Sequence, residues 1–432
     1  MGCHHYPNSS YQDREVVEAS AIEKENTVKG IMSGIRVVEV AAWTYVPIAG
    51  AVLAEWGADV IKIEHPEVGD PQRGLVNSGL VPSGPGGVNH MMELPNRGKR
   101  SVGLNLKTEE GHALLLKLVE SADVFLTNFR PQARTKLKID VEDIRAVNPD
   151  IIYVRGSANG QRGPESKRGG YDNSTFWGRG GSADILSAPG EYPTSQPGPG
   201  YGDVIGGLTI AGGVSAALFH RQRTGEAVTV DNSLLANGIW ATGATVLAAD
   251  LFGFSRMPRG DRTKMPNPLV NNYKTKDDRF LSLIMLESDR FWADLVIKIG
   301  RPELADDPRF VDSVVRAQNC QECVITLDEI FAGRTLDEWK PILFEVEGVW
   351  APVQTASELL EDPQVLANDY IREVTSASGT TFHMVASPLQ FNEQPPDLTR
   401  APDHGEHTDQ VLEELGLDMD AILDLKLKGA VL

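Results

Sequence analysis

The chain has 432 residues, 41% of them hydrophobic, and a formal net charge of −19 at pH 7. This length is enough for two domains with sizeable cores. The negative charge argues against binding to nucleic acid or to anionic membranes, because the field of the whole molecule repels phosphates. No apolar run reaches the ~18 residues that cross a bilayer, and the N-terminus lacks the basic and apolar regions of a secretion signal. We therefore expect a globular cytoplasmic protein.

The first part of the chain alternates strand and helix patterns. Residues 1–30 are polar, and we expect an N-terminal extension on which function does not depend. Val37–Val40 is typical of a buried strand, residues 47–56 of a helix that ends at Gly57, and residues 60–63 of a second strand. This order is that of a βαβ unit.

The alternation continues beyond residue 100. Thr108 can cap a helix, because two acidic residues follow it in the positively charged first turn. Strands are predicted at 124–127 and 151–154. The whole pattern predicts a Rossmann-like α/β fold, a doubly wound parallel sheet that binds ligands at the carboxyl ends of its strands. The first βα turn has no G-x-G-x-x-G sequence, so the shape alone does not indicate a dehydrogenase.

Asp203 lies in the segment Gly200–Leu208, at the start of an apolar, small-residue helix predicted to reach Arg223. The glycines at 202, 206 and 207 allow backbone or a ligand to come close to the carboxylate, and the positive end of the helix dipole is expected to keep it ionised. An ionised carboxylate in a tight pocket can be a nucleophile. Most Asp residues just before a helix only act as its N-cap, so both interpretations stay open here.

The remaining pattern predicts a division of the chain. A strand at 228–230 and a helix at 233–249 complete a large domain over residues 31–250. A hairpin over Tyr273–Leu283, turning at Asp277-Asp278, and helices between 287 and 332 predict a smaller α+β domain over residues 260–355. Residues 356–432 form the C-terminal segment.

The cysteine and histidine spacings do not predict a metal site. The three cysteines are too few for a disulfide framework, and the C-x-x-C pair Cys320 and Cys323 has no second pair at zinc spacing. His404 and His407 do not have the i, i+4 spacing of a zinc helix. We expect ordinary reduced cysteines, and Thr408 as the cap of the helix that follows.

A set of segments spread over nearly the whole chain carries a resemblance to a known family. They are Gly34–Val40, Leu53–Glu64, Gly69–Arg73, Asn96–Ser101, Ala122–Pro131, Gly202-Asp203, Thr224-Gly225, Val230–Leu235, Arg400–Thr408 and Val411–Gly416. In this order they closely resemble the class III CoA-transferases, which include formyl-CoA and carnitine CoA-transferases and, as a divergent branch, alpha-methylacyl-CoA racemase. The resemblance runs from about residue 34 to the C-terminus and is weakest between about 250 and 350.

The resemblance implies a CoA transfer from an acyl-CoA to a free carboxylic acid, with Asp203 as the nucleophile. It implies acyl-CoA as a substrate rather than a tightly bound cofactor. It also implies a homodimer of two interlocked subunits, in which residues 356–432 return to the large domain.

Residues for coenzyme A follow from the same resemblance. The segment from Pro95 to Lys138 contains nine Lys and Arg but only four Asp and Glu. This local excess of positive charge suits a small polyanion. Each basic residue taken alone can also be an ordinary surface charge. The positions matched to CoA contacts are Thr44, His65, Leu104, Lys107, Asn128, Phe129 and Lys136. His65 and Lys136 stand where members of the family carry Arg, so His65 would offer a weaker phosphate contact.

Tyr171 and Asp172 distinguish the branches of the family. Racemase members have a His at the place of Tyr171, which with the Asp moves the alpha proton, whereas a phenol with a pKa near ~10 is a poor base. We therefore favour CoA transfer, with Tyr171 and Asp172 beside Asp203 at the catalytic site. The alternatives are a racemase or epimerase, and a CoA-binding protein without turnover, against which the intact Gly202-Asp203 argues. Tyr171 could contact substrate, or be a buried ring whose hydroxyl bonds to backbone.

Two departures from the family concern the acid. Thr44-Tyr45-Val46-Pro47 stands where the family often has Ala-Gly-Pro, and the glycine-rich loop that covers the active site of formyl-CoA transferase is missing. We expect an acid that is bulkier and more apolar than formate or oxalate.

Overall fold

The computed structural model describes residues 30–256, 258 and 260–432, so nearly all of the expected N-terminal extension lies outside the described residues. A six-stranded sheet dominates the first 250 residues, with strands in the order β3-β2-β1-β4-β5-β6, all parallel. Its strands are β1 Arg36–Val40, β2 Asp59–Glu64, β3 Arg100–Gly103, β4 Val124–Thr127, β5 Ile152–Ser157 and β6 Thr229–Ser233.

Helices cover both faces of this sheet. They are α1 Tyr45–Glu55, α2 Arg73–Asn77, α3 His90–Asn96, α4 Glu109–Glu120, α5 Pro131–Leu137, α6 Val141–Val147, α7 Ser182–Leu186, α8 Tyr201–Thr224, α9 Leu234–Ala241 and α10 Gly243–Phe252, with a 3₁₀ turn at Pro85–Gly87 and a π turn at Asn173–Arg179. Strands buried on both faces are near-continuous apolar runs, as β1 is, with Val37 and Val38 fully buried. The prediction of a mixed α/β fold around a parallel sheet is confirmed.

The chain from residue 260 onward holds two small antiparallel sheets. One has the order β7-β8-β9, from Val270–Lys274, Phe280–Ile284 and Trp350–Pro352, and the other pairs β10 Ile371–Thr375 with β11 Thr381–Val385. Helices there are α11 Ser288–Lys298, α12 Ser313–Gln318, α13 Cys320–Phe331, α14 Leu336–Phe344, α15 Pro363–Ala367, α16 Thr408–Glu414 and α17 Met419–Leu427, with 3₁₀ turns at Pro302–Ala305 and Glu358–Leu360. The hairpin prediction is confirmed, and Asp278 takes a positive φ of 61° in its turn.

Three apolar cores result. One lies under α1 and α8, and a second lies on the other face of the six-stranded sheet, where Val411, Leu412 and Ile422 of α16 and α17 pack with α4. The third core joins the β7-β8-β9 sheet to α11, α13 and α14. The C-terminal helices thus add to the covering of this second face, to which α4 and α6 also contribute.

Two local predictions were wrong. The helix expected over 233–249 is two helices, α9 and α10, bent by 66° at a break. Thr408 does not cap α16, since His407 holds the cap position; the Thr408 hydroxyl donates to the carbonyl of Gly405 and accepts from the amide of Gly103. Because those partners are at 2.7 and 3.0 Å, Thr408 instead fastens the start of α16 to β3.

Helix α8 is long and apolar enough to cross a membrane by length and composition, as α9 and α10 would be if they formed one bent span. The same test is passed by core helices. Ile210, Ala211 and Val214 of α8 are buried against the large sheet, and the helix packs along α1. Its apolar composition therefore has an explanation within the fold.

Candidate active site

A cleft of about 890 Å³ opens at the carboxyl ends of β1, β4 and β5. Its lining includes residues 41–43 after β1, 128–131 after β4, 156–158 at the end of β5, the loop around 168–171, and Asp203. The strand order reverses between β1 and β4, and open α/β sheets bind ligands at such a switch point. The volume lies within the ~300–1,000 Å³ of ordinary ligand pockets. The predicted position of the site is therefore where the structure places a cavity.

Asp203 is the third residue of α8, and Gly200, with a positive φ of 74°, holds the cap position. The capping interpretation is therefore wrong. Among the residues that the structure describes, none donates a hydrogen bond to the Asp203 carboxylate, which faces the cleft. Burial, and after it the negative charge of Asp172, raise the pKa of Asp203 to about 7. The helix dipole favours the ionised form, but burial and the charge of Asp172 oppose it, so ionisation of this carboxylate is incomplete near neutral pH.

The glycines around Asp203 bring α8 close to its neighbours. A Cβ atom on Gly202 would lie 2.3 Å from Cγ of Phe176, and one on Gly207 would lie 2.4 Å from Cγ2 of Ile48. These glycines therefore serve side-chain packing within the protein, which fixes the first turn of α8 against α1 and the π turn. Room for a ligand comes from the cleft itself.

Tyr45, the first residue of α1, also borders the cleft. Its hydroxyl donates to Oδ1 of Asn232, to which the side-chain Nδ2 of Asn237 also donates at 2.7 Å. Burial raises the pKa of Tyr45, and the charge of Asp203 adds to the effect. This phenol stays neutral at any working pH.

Asp172 differs from Asp203 in having partners. Its Oδ2 accepts from Nε2 of Gln196 at 2.9 Å, and its Oδ1 accepts from the amide of Asn173 at 2.7 Å. The side chain is buried and does not line the cleft. Asp172 can therefore influence Asp203 through its charge.

Tyr171 does line the cleft, and its side chain is 63% exposed. The alternative of a buried ring is wrong for this reason. Its ring meets the ring of Trp43 edge to face, with the centroids 5.8 Å apart and an angle of 88°. The two aromatic side chains form one continuous piece of the cleft wall.

Of the residues predicted to contact CoA, the structure brings His65, Asn128 and Phe129 to the cleft. Asn128 uses its side chain within the protein: Oδ1 accepts from the amide of Ala42 at 3.1 Å, and Nδ2 donates to its carbonyl at 2.6 Å. Asn128, which directly follows β4, thus fixes the loop after β1.

The other predicted contacts do not line the cleft. Thr44 is buried, and its hydroxyl donates to Oε1 of Gln72 at 2.9 Å. Leu104 is 1% exposed and pairs with Val431 through an isolated β-bridge. Lys107 and Lys136 are exposed side chains on the surface.

Three arginines line the cleft that the sequence reasoning did not select: Arg130, Arg134 and Arg168. Arg134 is engaged with Asp140 at 3.1 Å, whereas Arg130 is exposed, and Arg168 pairs with Glu165. The sequence does carry a signal for Arg130, because this residue directly follows Asn128-Phe129. No group of three or more metal-ligating side chains occurs in the described part of the chain.

Comparison with known proteins identifies the family of this chain. Residues 32–408 match CoA-transferase family III. The (R)-2-hydroxy-4-methylpentanoate CoA-transferase of Clostridioides difficile is 33% identical, over 92% of this chain and 98% of that protein. The cinnamoyl-CoA:phenyllactate CoA-transferase of Clostridium sporogenes is 31% identical, over 92% of this chain and 96% of its own.

A solved structure of a CAIB/BAIF family protein from Brucella suis matches with a TM-score of 0.76 and 28% sequence identity, covering 90% of this chain and all of that one. The chain belongs to CoA-transferase family III. It is a CoA-transferase, an enzyme that moves CoA from an acyl-CoA thioester to a free carboxylic acid, and the predicted reaction class is confirmed.

Proposed function

We propose that Asp203 is the nucleophile of the CoA transfer and carries both covalent intermediates. The observation that supports this most is the position of its carboxylate, which borders the cleft without a hydrogen-bonding partner among the described residues. A carboxylate without a partner keeps its lone pairs available for attack on a thioester.

The transfer takes four balanced steps. The Asp203 carboxylate attacks the acyl carbon of the donor, giving a mixed anhydride and the CoA thiolate. The thiolate attacks the aspartyl carbonyl carbon, which releases the donor acid and forms an aspartyl-CoA thioester. The acceptor carboxylate then displaces the thiolate to form a second anhydride, and the thiolate attacks the acceptor's acyl carbon. The products are the new acyl-CoA and a free Asp203 carboxylate.

Burial of Asp203 has a cost and a benefit for these steps. A pKa of about 7 leaves a share of the enzyme protonated, and therefore inactive, at neutral pH. A carboxylate of higher pKa is a stronger nucleophile once ionised, and the same low polarity strengthens hydrogen bonds to the oxyanions that form. Asp172 contributes to this balance through its charge.

The experiment is chemical trapping. Hydroxylamine intercepts an activated aspartyl ester and converts it to a hydroxamate, while borohydride reduces an aspartyl thioester. Wild-type enzyme treated with acyl-CoA should be modified on the peptide that contains Gly202-Asp203, as read by peptide mass mapping. Asp203→Asn should lose the modification, and Asp172→Asn, the matched control, should keep it. Modification at Asp172, or none during turnover, would refute the covalent mechanism.

For coenzyme A we propose that His65, Asn128 and Phe129 flank the bound molecule. Arg130 and Arg168 at the same cleft offer charge for its phosphates. The resemblance also implies CoA contacts at Thr44, Leu104, Lys107 and Lys136, although none of these four residues lines the cleft. Arg130→Ala should raise the KM for acyl-CoA more than it lowers kcat, because a phosphate contact binds ground and transition states alike.

For the acceptor we propose an acid with a branched or aromatic side chain. The rings of Trp43 and Tyr171 line the cleft beside Asp203. Two similar proteins are named for 2-hydroxy-4-methylpentanoate and for phenyllactate, acids of this kind. A mass-spectrometric screen of free acids against several acyl-CoA donors tests the proposal, and a preference for formate or oxalate would refute it.

We further infer a cytoplasmic homodimer, interlocked as the family resemblance implies, with a large CoA-binding domain (31–250), a small domain (260–355) and a returning C-terminal segment (356–432). Exposed apolar side chains on α9 and α10 support a second copy: Trp240 is 86%, Leu251 74% and Phe252 69% exposed in the single chain. An apolar surface of this kind marks a protein interface. Sedimentation equilibrium tests the stoichiometry, and a monomer at micromolar concentration would refute it.

A further inference from the structure

The loop after β1 is held at three consecutive residues by three different side chains. Lys62 donates to the carbonyl of Ala41 at 2.9 Å, Asn128 bonds to both backbone groups of Ala42, and Oδ1 of Asp70 accepts from the amide of Trp43 at 3.1 Å. Loops at a sheet edge are ordinarily the mobile part of a fold. This loop is instead fixed residue by residue.

Trp43 needs this support because its backbone is left-handed, with a φ of 67°. A bulky residue rarely adopts this conformation, which persists only where the surroundings over-determine it and which clusters at functional sites. The conformation of Trp43 therefore has to serve a purpose, and it brings the indole ring to the cleft.

Asp70 is itself fixed from below by buried charge. Its Oδ2 lies 2.9 Å from Nζ of Lys62, and both side chains are almost fully buried. Lys62 also pairs with the fully buried Glu39 at 3.2 Å. Although burial opposes it, the charges of Asp70 and Glu39 raise the pKa of Lys62, so the cation that orients Asp70 persists at any working pH. Asp70 therefore connects a rigid ion pair in the sheet to the backbone of Trp43.

The indole of Trp43 meets the exposed ring of Tyr171, and both rings share the cleft with Asp203. An acid that reacts at Asp203 has to place its side chain in the same cleft. An edge-to-face aromatic pair offers two apolar surfaces at right angles, which suits a planar ring or a branched chain better than a short acid.

We propose that Trp43 and Tyr171 form an aromatic wall that selects acids with branched or aromatic side chains, and that Asp70 is the positioning residue that holds Trp43 in this wall. The proposal rests on the proposed acceptor class and names the residues that determine it. It requires that the acid reacts in this cleft, whichever residue of the cleft carries the covalent intermediate.

The test compares two acceptors in one reaction mixture, 3-phenylpropanoate and propanoate, with butanoyl-CoA as donor and mass spectrometry of the acyl-CoA products. Wild-type enzyme should prefer 3-phenylpropanoate. Trp43→Gly, which suits the positive φ, and Tyr171→Ala should each reduce the ratio of the two kcat/KM values by about tenfold or more, whereas Tyr171→Phe, which keeps the ring, should retain it. If the ratio of the two kcat/KM values is unchanged in both truncated variants, or if the wild type does not prefer 3-phenylpropanoate, the proposed aromatic wall is refuted.

Asp70 is tested by its effect on selectivity. Asp70→Ala should reduce the ratio as Trp43→Gly does, and adding it to Trp43→Gly should reduce the ratio no further, because both changes act through one side chain. Asp70→Asn keeps an acceptor for the Trp43 amide and should keep most of the preference. Equal slowing with both acids in Asp70→Ala would show a merely structural role and overturn this part of the proposal.

Variants without turnover are examined by calorimetric titration of 3-phenylpropanoate into enzyme saturated with CoA. Binding should weaken about tenfold in Tyr171→Ala and stay in Tyr171→Phe; equal binding in both would overturn the wall. The trapping experiment on Asp203 needs only the donor, so its failure would refute the covalent mechanism while a reduced ratio in the variants would still support the wall.

Discussion

Two carboxylates, Asp172 and Asp203, lie near each other at the carboxyl edge of the large sheet. They differ in their hydrogen bonds and in their access to the cleft. Asp172, before the π turn, is buried and accepts hydrogen bonds from Gln196 and from the amide of Asn173. Asp203, in the first turn of α8, faces the cleft, has no such donor among the described residues, and has a pKa raised to about 7. The residue type alone therefore does not distinguish these two carboxylates, whereas their surroundings do.

Replacement of the two carboxylates should give the largest contrast. Asp203→Asn removes the proposed nucleophile and should reduce kcat by at least ~10³-fold, whereas Asp172→Asn removes only a charge near it and should reduce kcat roughly tenfold or less. Initial rates with one acyl-CoA donor and one acid measure both. Comparable rates in the two variants would end the distinction between these sites.

A second prediction concerns the close packing that fixes Asp203. Gly207→Ala places a methyl group 2.4 Å from Cγ2 of Ile48 and 3.0 Å from the carbonyl oxygen of Tyr45. It should destabilise the protein by ~1–3 kcal/mol and slow turnover, because α8 has to shift away from α1. Chemical denaturation and initial rates measure the two effects.

Gly212, one turn and a half further along α8, is the matched control. A Cβ atom there meets nothing within 4 Å in the described chain. Gly212→Ala should be neutral or stabilise by up to ~1 kcal/mol, since alanine favours the helix. If both variants lose the same stability, helix propensity rather than packing explains the glycines.

The third prediction is a pH dependence. Because the proposed attack by the Asp203 carboxylate requires its ionised form, the rate of acylation should rise with pH through about 7. Asp172→Asn removes a negative charge that raises this pKa, so the midpoint should move to lower pH. Single-turnover rates between pH 5 and 9 give the midpoints, and a shift to higher pH would contradict the assigned electrostatic role.

The smallest effect is expected on stability. The pKa of Asp203 in the folded protein lies above its value of 3.8 in the unfolded chain, so its contribution to stability is full below that lower value and is lost as pH rises through about 7. Asp203→Asn has no charge to bury. The Tm of this variant minus the Tm of the wild type should therefore be larger at pH 8 than at pH 4. Solvent near the cleft screens the charge and keeps the gain small. A Tm difference independent of pH would show that Asp203 is solvated.

Much of the fold could be predicted from local sequence. The strands at β1, β2 and β4, the helix capped by Thr108 and the hairpin at Asp277-Asp278 depend on periodicity and turn residues that act over a few positions. The break between α9 and α10 and the role of Thr408 could not be predicted. Thr408 bonds to Gly103, some 300 positions earlier, and no local pattern contains that partner.

The candidate site shows the same limit. Asp203, Tyr171, His65 and the pair Asn128-Phe129 were selected through motifs, and the structure brings all of them to one cleft. The supports of the cleft wall were missed. Asp70 lies in the segment Gly69–Arg73, which carries part of the family resemblance, but its positioning role depends on Lys62 and Trp43. Only the folded chain places the buried ammonium group of Lys62 on one side of Asp70 and the backbone amide of Trp43 on the other.

The amino-acid sequence by itself was enough to predict the alternation of strands and helices, the parallel sheet and Asp203 as the candidate nucleophile, because side-chain periodicity and short motifs act locally. The tertiary structure decided that this carboxylate is half-buried with a pKa of about 7, and that Trp43 and Tyr171 share its cleft. The reason is that desolvation and charge depend on groups that are distant in sequence and meet only when the core is formed.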